Sequence, residues 1–97
     1  MVVKERIRVK KHDVSKHLNS KAVELYLSLA RSVWESAMMS SSPTAANAKK
    51  KEAVGWAVLA AKKVAEEEVD RGKTLEECLH IAALVLIEKS REIRGNL

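Results

Sequence analysis

Residues 70–77 read Asp-Arg-Gly-Lys-Thr-Leu-Glu-Glu. Gly72 supplies the left-handed residue that ends one helix. Thr74, followed three residues later by Glu77, is a capping box that opens the next. A stop and a start this close make the flanking helices antiparallel neighbours. Upstream, the pattern predicts a helix over about residues 43–70, roughly 40 Å at 1.5 Å per residue. Downstream, it predicts one over about residues 75–94, with Glu76 and Glu77 at its start and Lys89, Arg91 and Arg94 at its end, in agreement with the helix dipole. The apolar runs 53–61 and 78–87 lie at similar distances from the turn and so face each other. Both are apolar nearly all round, more than three helices can bury, and a second copy of the chain is expected to cover the excess.

Further upstream, Ser40-Ser41-Ser42-Pro43 marks a loop. Ser42 or Thr44 is the next cap, and Pro43 suits a first helical turn. Before the loop a helix is expected over about residues 20–39, capped by Asn19 or Ser20. Glu24, Ser28, Arg31 and Glu35 recur at helical spacing and mark its solvent face. Ala22, Leu25, Tyr26, Leu29, Ala30, Val33, Trp34, Ala37 and Met38 cover much of the remainder. The expected fold is all-α: a three-helix bundle, residues 19–97, built on a long antiparallel hairpin of its second and third helices. Residues 1–18 form an extended basic N-terminal arm, with residues 11–18 irregular apart from one helical turn after Asp13.

Charge separates the arm from the body. Residues 1–21 carry seven basic side chains against two acidic ones, while the other 76 balance eleven against eleven, so the whole net charge of +5 belongs to the arm. Within residues 2–10, Val3, Ile7 and Val9 alternate with Lys4, Arg6, Arg8 and Lys10, the pattern of a short strand that needs a partner. The second expected helix is charged against its dipole, with Lys49, Lys50 and Lys51 near its start and Glu66, Glu67, Glu68 and Asp70 near its end. The hairpin is therefore neutral in sum and polar end to end. The arm would leave the bundle near the acidic pole.

The 97 residues hold one domain. The longest apolar runs are far shorter than the roughly 20 residues that span a bilayer, and no signal peptide is expected. A single cysteine, Cys78, excludes an internal disulfide and fits a reducing cytoplasm. Absence of Gln, with charge carried mainly by Lys and Glu, leans toward a thermophile.

Catalytic and metal chemistry find no motif. His12, Asp13 and His17, and the pair Cys78 and His80, match no zinc spacing. His80 reads as a hydrogen-bonded interface residue and Cys78 as a small buried hydrophobe. Ser40–Ser42 have nothing to activate them, and Glu66–Glu68 reads as an exposed helix end without the apolar pocket that tunes a catalytic carboxyl. Three scattered glycines make no phosphate loop. No cofactor, catalytic residue or metal ligand is expected.

The arm remains. Lys4, Arg6, Arg8, Lys10 and Lys11 would neutralise phosphates, with Lys49 and Lys50 as a second basic patch. Two arms paired as an antiparallel ribbon would present a basic face to a major groove, which favours DNA over RNA. Over residues 2–10 this pattern resembles ribbon-helix-helix regulators; the long following helix and the irregular stretch before it depart from that family, and the chain is not assigned to it. Trp34, Trp56, Leu59, Leu79 and Leu86 are the expected anchors of a homodimer interface. The expected function is a non-enzymatic nucleic-acid-binding accessory or regulatory protein, in the cytoplasm and without membrane contact. The alternative is a protein–protein adaptor or assembly subunit with no nucleic-acid contact.

Overall fold

A computed structural model describes residues 9–95, which form four helices: α1 (Lys11–Leu18), α2 (Lys21–Met38), α3 (Pro43–Asp70) and α4 (Leu75–Gly95). The strand considered over residues 2–10 lies outside the described residues but for Val9 and Lys10, which are in no strand. No helix among the described residues is long and apolar enough to cross a membrane.

The turn at residues 71–74 fixes the architecture. Gly72 has φ 82°, a conformation that only glycine adopts without strain. The Lys73 N–H reaches the Glu68 carbonyl at 3.1 Å and the Gly72 N–H reaches the Val69 carbonyl at 2.9 Å. Together these bonds form a Schellman motif that satisfies the last carbonyls of α3. Thr74 and Glu77 then cap α4 reciprocally: the Glu77 N–H donates to Thr74 Oγ1 at 3.2 Å, and the Thr74 N–H to Glu77 Oε1 at 2.9 Å. Ser20 caps α2 and Ser42 caps α3, each accepting the N–H three residues on at 3.4 Å, with Pro43 in the first turn of α3.

The core is one cluster of small and branched side chains. α2 contributes Val23 and Leu27, α3 contributes Ala60 and Val64, and α4 contributes Ile81, Ala82 and Val85. The inward stripe of α2 is therefore Val23, Leu27 and Ala37, while Leu25 and Met38, expected among its covering residues, are 57% and 65% exposed. Tyr26 and Trp56 stack between α2 and α3, ring centroids 6.1 Å apart. Cys78 is buried, as its apolar reading implies.

Residues 11–18, expected to be irregular, are the fourth helix. Asp13 explains its start: Asp13 Oδ2 accepts the Lys10 N–H at 3.0 Å, and the Lys10 carbonyl accepts the Asp13 N–H at 2.9 Å. α1 then lays Val14 into the main core and buries Asp13 and His17 beside it. Its inward face is mostly polar, so no hydrophobic period announces it.

The two interior glycines predict opposite responses to alanine. Gly72→Ala should destabilise by about 1–2 kcal/mol, because an L side chain is strained at positive φ. Gly55 lies inside α3 with nothing within 4 Å of an added Cβ, so Gly55→Ala should stabilise by about 0.5–1 kcal/mol through helix propensity. Urea unfolding of both variants checks the pair. A neutral Gly72→Ala would remove the turn from its place in the fold.

Candidate functional site

The densest group of ionisable side chains lies where α1 meets the end of α3. Glu68 is fully buried, and His17 is 2% exposed. His17 Nε2 stands 2.5 Å from Glu68 Oε2, and His17 Nδ1 stands 3.1 Å from Glu67 Oε2. A carboxylate thus faces each ring nitrogen. Lys16 Nζ adds a contact of 3.1 Å to Glu68 Oε2 and one of 3.7 Å to Asp13 Oδ1. Arg71 Nε lies 3.5 Å from Glu68 Oε2, and Lys73 Nζ lies 3.6 Å from Asp13 Oδ2.

These placements correct the expectation that Glu66–Glu68 is an exposed helix end. Glu66 is exposed and Glu67 half-buried, but Glu68 points inward. Four residues separate Glu68 from Val64 and Val64 from Ala60, both buried, so Glu68 continues the core stripe of α3. A buried carboxylate requires counter-charge, which α1 supplies from 51 and 52 residues away in sequence. Only the core period of α3 extended past Val64 hints at this.

Burial pushes the Glu68 carboxyl upward, yet hydrogen bonds from His17 and Lys16, with their charges, outweigh it and hold Glu68 below its ordinary value. The N–H of Lys10 holds Asp13 down, against its burial and with help from Lys73 and Lys16. The Thr74 N–H does the same for Glu77. Cys78 moves the other way: burial and the nearby Glu68 and Glu77 carboxylates raise its thiol, which makes it a poor nucleophile. The His17–Glu68 group is enclosed by charge partners, and its geometry is that of an anchor for α1. No cluster of three or more His, Cys, Asp or Glu able to hold a metal ion occurs among the described residues.

The candidate phosphate contacts fall at two separate places. Lys10 and Lys11 are exposed at the start of α1 and make no ion pair among the described residues. Lys4, Arg6 and Arg8 lie outside the described residues. Lys49 and Lys50 sit toward the other end of α3, about 28 Å from Glu68 along the helix axis. Both are engaged locally, Lys49 Nζ donating to Ser36 Oγ at 2.9 Å and Lys50 Nζ lying 5.4 Å from the Trp34 ring centroid.

Among the expected interface residues, Trp34, Leu59 and Leu79 are 43%, 42% and 58% exposed. Trp56 and Leu86 are half-buried. His80 is exposed and makes no hydrogen bond among the described residues.

The lowered carboxyls set the acid response. Their unfolded reference values are 3.8 for Asp13 and 4.5 for Glu68, and the folded values lie lower. The stabilisation is therefore complete above the reference values and is lost as pH falls through the lowered ones. Glu68→Gln should cost about 2 kcal/mol at neutral pH, because the charge-assisted contacts from Lys16 and His17 to the buried carboxylate are weakened. It should also flatten the fall in melting temperature between about pH 6 and pH 2. Parallel melting curves for the two proteins would remove Glu68 from that role. No protein-family model matches the chain, and no curated protein or solved structure matches it.

Proposed function

We propose that this chain is a non-enzymatic nucleic-acid-binding accessory or regulatory protein whose basic N-terminal arm grips phosphates. One observation carries the reading. At the end of α3 the buried Glu68 is met by Lys16, His17 and Arg71 and Glu67 by His17, while Lys73 pairs with Asp13 of α1. Lys10 and Lys11 take no part in that group. Lys10 and Lys11 stay exposed, directly after the segment that holds Lys4, Arg6 and Arg8. α1, anchored through His17, gives that segment a fixed point of departure. The alternation over residues 2–10 favours duplex DNA, whose major groove admits a paired ribbon.

The second reading, a protein adaptor, is favoured by the exposure of Trp34 at 43% and Leu79 at 58%. Under it the apolar surface binds a protein and the arm is dispensable.

Fluorescence anisotropy against random duplex DNA and single-stranded RNA, across a salt series, separates the two. Full-length protein should bind duplex with a log K versus log salt slope of about −4 to −5 if five arm cations contact phosphate. Changing Lys4, Arg6, Arg8, Lys10 and Lys11 to Ser should abolish binding. Absence of binding at low salt would sink the nucleic-acid reading and leave the adaptor.

A further inference from the structure

Where the second half of α2 meets the first half of α3, the facing side chains are mostly small. Ala30, Ala53 and Ala57, with Leu27 and with Ser90 of α4, line a cleft of about 260 Å³. Leu27 and Ala53 are buried, so the floor of this cleft is the surface of the core. A second cleft of about 350 Å³, lined by Asn47, Lys50 and Lys51, adjoins the first and shares Trp34 and Val54 with it. From Ala57 to Asn47 the two extend along α3 for about 15 Å. A concave, mainly apolar site with a few polar groups at one end is the usual form of a small-molecule site.

The charge on these walls has one sign. The charged residues that line the two clefts are Arg31, Lys50 and Lys51. Arg31 is committed to Glu35 at 3.1 Å. Lys50 Nζ lies over the Trp34 ring, and neither Lys50 nor Lys51 makes an ion pair among the described residues. The other carboxylates at this end of the molecule are engaged or turned away. Glu52 accepts from Trp56 Nε1, about 160° round α3 from Val54. Glu24 and Glu92 face Lys89, and Glu88 lines a different cleft, beside α1.

We infer that the joined clefts bind a medium-chain fatty acid, its carboxylate at Lys50 and Lys51 and its alkyl chain along Trp34, Val54 and the alanine floor. The length and the one-sided charge together select this chemistry. Each methylene moved from water onto the floor favours binding. The carboxylate meets two ammonium groups that have no acid of the chain to give up. A free inorganic anion would leave the apolar length unused, and a neutral chain would leave the lysines unused. Asn47, exposed at the same end, offers an amide donor to the second carboxylate oxygen. The inference does not rest on nucleic-acid binding.

Isothermal titration calorimetry of the full chain with decanoate, below its micelle-forming concentration, tests it. Decanol and acetate serve as probes that lack the charge or the chain. Decanoate should bind saturably, and the other two should bind about tenfold more weakly or worse. Changing Lys50 and Lys51 together to Ala should weaken decanoate about tenfold or more with unchanged helical circular dichroism, since both side chains lie at the surface. Ala57→Leu, which fills the floor, should weaken it similarly, with a melting curve to show that the fold is intact. The variant with Ser at positions 4, 6, 8, 10 and 11 should bind decanoate as the native protein does, so capture by the arm is not mistaken for capture by the cleft. Absence of saturable decanoate binding would overturn the inference, as would equal affinity for decanol or indifference to the lysine changes. Adsorption to anionic phosphatidylglycerol vesicles without saturable decanoate binding would overturn it in favour of a membrane surface.

Discussion

Glu68 joins the parts of this molecule. Its backbone carbonyl accepts the N–H of Lys73 and so closes the turn between α3 and α4. Its side-chain carboxylate, fully buried, receives His17 and Lys16 from α1 and has Arg71 beside it. One residue therefore fixes the hairpin and the attachment of the N-terminal helix. The arrangement is demanding, because a carboxylate without water must have its lone pairs filled. It also gives the junction directional partners, since Lys16, His17 and Arg71 all reach the same carboxylate.

The same group resolves an electrostatic conflict within α3. Glu66, Glu67, Glu68 and Asp70 crowd the negative end of a 28-residue helix, where the dipole disfavours them. Lys16 and His17 from α1 and Arg71 from the turn gather around this end. What remains exposed, Glu66 and Asp70, lies on or beside the outer face rather than against α1. The charges of α3 thus divide by side: those facing inward are neutralised within the chain, and those facing outward are left to its surroundings.

How much of this the sequence discloses depends on the range of the interaction responsible. The Gly72 turn, the Thr74–Glu77 box and the Ser42–Pro43 start are set by residues within about three positions of one another, and each is legible as a short pattern. α1 is not, because its inward face is Asp13, Val14 and His17, and two of these three are polar. Their burial follows from partners across the fold. The inward stripe of α2 was obscured differently: apolar residues occupy most of its circumference, so pattern alone does not choose Val23 and Leu27 over Leu25 and Met38. Of the candidate functional residues, the arm cations were visible as charge, whereas the His17–Glu68 anchor that precedes the body was not. His12, Asp13 and His17 match no zinc spacing, and nothing in their spacing discloses that the partners of His17 are the carboxylates of Glu67 and Glu68.

The anchor bears on how an arm of this composition works. A basic segment tethered loosely beside an acidic helix end would fold back on it, and its cations would be shared between that end and any phosphate. Here the buried Glu68 of that end is met by Lys16 and His17, which belong to the helix directly after the arm. Competition for the arm is then met by residues that cannot leave without undocking α1. On the proposed reading this division of labour keeps the five arm cations for an external polyanion, with an attraction that salt screens strongly. It also explains why a chain with a neutral body concentrates its entire net charge in its first 21 residues.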